Sequence, residues 1–212
     1  MTGFDAPAGA PPNLTVFAAR DGIKPRSMRE HRRVIQACTA CAFRPDDTAP
    51  LMGDGPIPAD LVVVSHAARP HDMLMGRGLA GAARNVVDAA VQNAAITQRV
   101  RFTAALRCAP PDDVNTDRED FSPCRDHLLA ELMLASPQVI VTLGPEATTA
   151  VVNAELPFDA VVGRPLRLTD TVTLLPTVDP MGAVQGRRDA TVALRRDFLL
   201  AHAVLTAKST SA

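Results

Sequence analysis

Apolar residues recur along this chain in two alternating rhythms. Short runs of consecutive apolar and β-branched positions occur at DLVVVSH (60–66), VRFTAAL (100–106), QVIVTLG (138–144) and VTLLPTV (172–178), the pattern of strands buried on both faces. Between them, helical spacing governs ARNVVDAAVQNAA (83–95), PCRDHLLAELMLA (123–135), PEATTAVVNA with Pro145 in its first turn, and DATVALRRDFLLAHAVL, where Asp189 is the predicted cap. Ahead of the first strand, SMREHRRVIQACTAC (27–41) reads as a helix capped by Ser27, with Glu30 three residues later and Val34 sharing a face with Cys38. This alternation predicts an α/β fold: a three-layer αβα sandwich with a central, mainly parallel, four-stranded sheet. Residues 1–25, rich in Ala, Pro and Gly, read as a flexible extension, 26–206 as the domain, and 207–212 as a disordered tail.

Such a sheet collects ligands outside the carboxyl ends of its strands. That selects the segments Ser65 to Gly81, Arg107 to Asn115 and Asp179 to Gly186. The length of 212 residues and 47% hydrophobic content suffice for one substantial core. Lys and Arg number 22 against 23 acids, so no global positive field advertises nucleic acid, and any such partner would meet a local basic face. No signal-like start and no apolar run of about 18 residues is present, which predicts a soluble, cytoplasmic, monomeric protein that does not enter a membrane.

Cysteine spacing changes the picture. Cys38 and Cys41 form a C-x2-C pair, followed at long range by Cys108 and Cys124. A C-x2-C loop lets two thiolates converge, and a soft thiolate set suits zinc or an iron-sulfur cluster. The competing reading treats Cys108 and Cys124 as inert core thiols.

These segments together resemble family 4 of the uracil-DNA glycosylases over residues 34 to 204. CTACAF is similar to that family's leading cysteine pair. LVVVSHAARPHDMLMGRGLAGAARNVVD matches its first motif in length and pattern, including Gly76, Arg77 and Gly81. LRCAPPDDVN resembles its K-C-R-P-P-x-N-R segment, SPCRDHLLAEL its last-cysteine helix, QVIVTLG its V-I-V-x-L-G strand, and PTVDP its P-T-x-H-P. The resemblance implies a [4Fe-4S] cluster on Cys38, Cys41, Cys108 and Cys124, with zinc as the alternative, and DNA as partner.

At the catalytic positions the chain departs from the family. His66 stands in place of the motif-one glutamate, Ala68 of its proline and Arg69 of the following glycine. Leu79 replaces the phenylalanine that stacks on uracil, Ala104 the asparagine that reads its edge, and Asp179 the histidine that stabilises the leaving base. Leu79 offers no π-face and Ala104 no paired donor and acceptor, so uracil selectivity is expected to suffer. The implied catalytic pair is His66 and Asp179, with Ser65, Ala67, Leu79, Ala104 and Arg77 around the base. Arg69, Arg107 and Arg187 are predicted to grip phosphates on the rim, with Met181 as an apolar wedge into the duplex. Two functions from different classes follow. One is a glycosylase that excises uracil or, better suited to the altered positions, a modified pyrimidine. The other is a catalytically silent cluster protein that binds DNA or a partner.

Overall fold

The four runs of consecutive apolar residues become the four parallel strands of one sheet. The structure, a computed structural model, describes residues 26–41, 49–111, 122–152 and 156–209. Strands β1 (Leu61–Ala67), β2 (Val100–Leu106), β3 (Val139–Leu143) and β5 (Thr173–Thr177) pair in parallel, and a two-residue β4 (Leu166–Arg167) adds antiparallel to β5 at one edge. The order is β2-β1-β3-β5-β4, so the described residues form five strands where the pattern predicted four. A two-residue strand is too short to carry any periodicity, which is why it escaped detection.

Helices flank the sheet on both sides: α1 (Met28–Gln36), α2 (Pro70–Met75), α3 (Gly81–Asn93), α4 (Ser122–Ala135), α5 (Pro145–Val152), α6 (Phe158–Val161), α7 (Met181–Val184) and α8 (Arg188–Ser209). Alternate side chains of each strand feed two cores. Val62, Val64 and Ile140 pack with Leu128 and Leu132 of α4 and Val151 of α5. Leu61, Val63 and Val141 pack with Val87 of α3 and with Leu194 and Phe198 of α8. All these residues are fully or almost fully buried, and each large apolar side chain removed from water contributes about 1.5–3 kcal/mol.

Several local expectations are corrected. The segment after β1, expected as loop, contains α2, with Pro70 in its first turn and Gly76 in the left-handed conformation (φ 63°) at its end. Helix α1 is capped by Ser27, whose Oγ accepts from the Glu30 amide, but it ends before the cysteines. Its buried face carries His31 and Ile35, whereas Val34 is 39% exposed, because the neighbour it packs against is α4. Helix α8 opens at Arg188, leaving Asp189 in its first turn beside Arg187 instead of at the cap. Residues 207–209, expected in a disordered tail, continue α8. There Lys208 Nζ donates to Gln138 O, Thr171 O and Thr173 Oγ1, tying the helix end to the sheet. The extension 1–25 lies outside the described residues.

The order in which strands are added reverses around β1: β2 lies on one side of it and β3 on the other. The carboxyl ends of β1 and β3 are therefore the topological switch point, where open α/β sheets take ligands.

Candidate functional site

Two places on this scaffold concentrate chemistry. The first is the switch point. His66 is the penultimate residue of β1 and is half-buried. By extension of the β1–β3 register from Val64 with Thr142, it lies level with Gly144. Gly144 leaves β3 at φ 91°, and a Cβ placed on it would lie 3.7 Å from the Asp179 Cβ and 3.4 Å from Glu146 Oε2. His66 and Asp179 thus leave strands two apart, about 10 Å between backbones by ordinary strand spacing, with bare backbone between them. Thr148 Oγ1 bonds Thr142 Oγ1 at 2.8 Å and Gly144 O at 2.9 Å, which fixes that bare turn.

Asp179 is exposed and its Oδ1 accepts from the Met181 amide at 2.6 Å, so one carboxylate oxygen starts α7. Glu146, in the first turn of α5, is a third ionisable group at this turn that the motif comparison passed over. A carboxylate in the first turn of a helix just beyond a strand's carboxyl end was the available signal.

The expected base-contact residues divide by face. Ser65 and Ala104 are paired in register on the α3/α8 side, and Ser65 Oγ donates to Thr103 O at 3.3 Å. Ala104 is 1% exposed and Leu79 6%, the latter at φ 121°, a conformation that branched side chains rarely adopt. Ala67 is half-buried at the end of β1, level with Leu106.

Around this edge Arg69 and Arg77 are exposed at the two ends of α2. Asp72, which might have neutralised them, is buried and instead accepts from the backbone amides of Arg69 (2.9 Å) and Ala80 (2.7 Å), bracing the loop. Arg187 is exposed and paired with Asp189 at 2.8 Å. Met181, expected as a protruding wedge, is half-buried against the α3/α8 core; the protruding apolar side chains here are Leu74, 86% exposed, and Met75.

Arg107 is not on the rim. It is 1% exposed and belongs to the second place, a thiol-lined cavity on the flank of α4. Cys38, Cys41, Cys108 and Cys124 all border this one cavity, together with Arg107 and His127. Burial is the main influence raising the Cys124 thiol pKa; the Arg107 backbone amide and guanidinium act against it. Among the described residues, no three His, Cys, Asp or Glu side chains are gathered as a ready-made single-ion site.

Behind the cavity, alternate residues of β2 face α4. Arg101 Nε donates to Glu131 Oε1 at 2.6 Å, Thr103 Oγ1 to Oε2 at 3.2 Å, and Arg107 Nη1 to Oε2 as well. Glu131, wholly buried, stays ionised: burial pushes its pKa up, but the two guanidiniums hold it below the usual carboxylate range. His31 of α1 and His127 of α4 meet nearby in a tilted arrangement with ring centroids 5.7 Å apart, and each pKa is lowered to about 4, first by burial and then by Arg107.

These features define a doubly wound, mainly parallel α/β domain with a β1/β3 switch point and a four-cysteine cavity on one flank. The family model for the uracil DNA glycosylase superfamily matches residues 52–201, and the chain belongs to that superfamily. It is 24% identical over 155 residues to a type-4 uracil-DNA glycosylase of Thermotoga maritima, covering 72% of this chain and 81% of that relative. With a type-4 uracil-DNA glycosylase of Archaeoglobus fulgidus it shares 29% identity over 122 residues, covering 57% and 61% of the two chains. A type-4 enzyme of Sulfurisphaera tokodaii matches at 23% over 124 residues. No helix of the described residues is long and apolar enough to cross a membrane.

Proposed function

We propose that this chain is a DNA glycosylase-like protein that takes an extruded pyrimidine at the carboxyl edge of its sheet and hydrolyses its N-glycosidic bond. The observation that carries this is that His66 on β1 and Asp179 after β5 flank β3 at its carboxyl end, at the switch point of a superfamily fold, with Asp179 beside Gly144. In that arrangement Asp179 orients water and takes its proton as oxygen bonds to the sugar C1′. The bond from C1′ to the base nitrogen breaks with its electron pair leaving on the base, and His66 supplies the proton the base needs. The products are free base and an abasic site. Gly144, buried and at φ 91°, turns the chain out of β3 in a conformation that disfavours a side chain, and this brings Glu146 and Asp179 together at the strand end.

The base is a modified pyrimidine in preference to uracil. Ala104 and Ser65 are small, the Ser65 hydroxyl is engaged with Thr103 O, and Leu79 is aliphatic, so the wall beside the pyrimidine 5-position would have little bulk and no paired donor and acceptor. DNA is held by Arg69 and Arg77, with Leu74 as the apolar side chain placed to enter an unstacked step. Four thiols around a common cavity suit a [4Fe-4S] cubane, in which each iron takes one thiolate, whereas zinc needs all four sulfurs about 2.3 Å from one point. Cys38, Cys41, Cys108 and Cys124 would hold the cluster, whose contribution is to tie the segment after α1 to β2 and α4.

One observation favours the second reading, a catalytically silent DNA-binding protein: Asp179 already spends one oxygen on the α7 amide. Single-turnover excision on duplexes carrying uracil or 5-substituted pyrimidines separates the two. Base release with an abasic product supports the enzyme, while salt-dependent binding without release from any substrate supports the silent module.

A further inference from the structure

Among the described residues, charge does not balance beneath the cysteine cavity. Arg101, Arg107 and Glu131 are each at most 3% exposed, and two guanidiniums share one carboxylate, leaving a net charge of about +1 in a low-dielectric interior. An uncompensated buried charge is costly, so a structure that keeps one has an anion beside it. Among the described residues no second carboxylate is paired with either arginine.

The two arginines are not equivalent. Arg101 is saturated: Nε goes to Glu131, and its terminal nitrogens go to Gly55 O and Gly53 O. Arg107 gives Nη1 to Glu131 and Leu51 O and Nη2 to His127 O, but its Nε is buried and unpartnered, and the side chain borders the space shared by all four cysteines.

We infer that Arg107 is the buried countercharge of the anion held by Cys38, Cys41, Cys108 and Cys124, with its Nε–H donating to a sulfur of that centre. This rests on the reading of the cysteines as a cluster site. Four thiolates on a [4Fe-4S] core carry net negative charge, and reduction adds one more, so a fixed buried cation stabilises the reduced form more than the oxidised one. Arg107 therefore raises the reduction potential and supports retention of the cluster. It is a positioning and tuning residue that takes no part in base release.

Arg107→Met is the informative variant, because it removes the unpaired charge and leaves Arg101 and Glu131 as a neutral pair. Anaerobically prepared protein should then show a more negative cluster potential, by about tenfold in the oxidised-to-reduced ratio at fixed potential, or ~59 mV for one electron. Iron loss to a chelator should be faster. Arg107→Lys, which keeps charge but not the Nε donor, should hold the potential closer to wild type. A loaded Arg107→Met protein with wild-type potential overturns the inference. If the methionine variant fails to fold or load, a lysine variant that fails equally overturns it in favour of a purely steric role. Zinc without sulfide in the wild-type protein refutes the cluster reading alone. The countercharge is then judged on zinc, and Arg107→Met releasing zinc no faster than wild type overturns that too.

Discussion

The thiol-lined flank and the carboxyl edge of the sheet are both assembled from ionisable side chains, yet they are built on opposite terms. On the flank, Glu131, Arg101, Arg107, His31 and His127 are all nearly or wholly removed from water, and the carboxylate there depends on two guanidiniums to remain charged. At the edge, Asp179, Glu146, Arg69, Arg77 and Arg187 are exposed. Removing one partner of a buried charge cluster strands the others, whereas an exposed charge is re-solvated at small cost. The flank is therefore intolerant of change, and the edge is free to drift.

Variants that break one region and spare the other sharpen this contrast. The largest effect is expected for Cys108→Ala or Cys124→Ala, which should collapse the yield of soluble folded protein, because metal binding contributes directly to folding. Unchanged thermal midpoints in both would mean that the cavity carries no structural centre. Next, Glu131→Ala leaves two buried guanidiniums without their carboxylate and should lower unfolding free energy by about 3–5 kcal/mol in denaturant titrations.

At the edge the signature reverses. Asp179→Asn should slow single-turnover base release by about 10²-fold with thermal stability and DNA affinity almost unchanged. His66→Gln should do likewise, and the double variant should lose less than the product of the two if they act together. Full activity in both singles would move the chemistry elsewhere, with Glu146 the next residue to replace.

A smaller effect is expected from pH. His31 and His127 titrate near 4 when folded and near about 6.5 when unfolded, so between those values the unfolded chain binds protons that the folded one refuses. Their neutral forms cost no stability above about 6.5, and stability falls as pH drops from there toward 4. The thermal midpoint should decline across that window, and His31→Gln should flatten the decline; a flat profile in wild type contradicts it. Smallest of all, Arg77→Ala should reduce the salt slope of DNA binding by about one unit without altering the melting curve.

Much of the fold was legible because it is written in local periodicity. The β-branched runs at 60–66, 100–106, 138–144 and 172–178 lie within a residue or so of β1, β2, β3 and β5. What escaped was short or relational. Helices α2, α6 and α7 have six, four and four residues, below the length at which a helical repeat registers. The α1 face was misjudged because Val34 is as apolar as Ile35, and only the presence of α4 decides which side is covered. Arg107 was assigned to the rim because arginine beside a strand end is usually solvated, and nothing in LRCAPP announces a carboxylate 24 residues later.

The sequence by itself determined the α/β class, the four parallel strands and, through resemblance of its motifs, the superfamily, because hydrophobic period and local motifs are properties of the chain read in one dimension. Tertiary structure alone decided that Arg101, Arg107 and Glu131 share one buried site and that four distant cysteines border one cavity. The approach of Asp179 and Glu146 to Gly144, level with the end of β1, likewise emerges only once β1, β3 and β5 are ordered. A side chain's charge and neighbours in three dimensions depend on which segments the sheet order brings together, and that order is a property of the whole core.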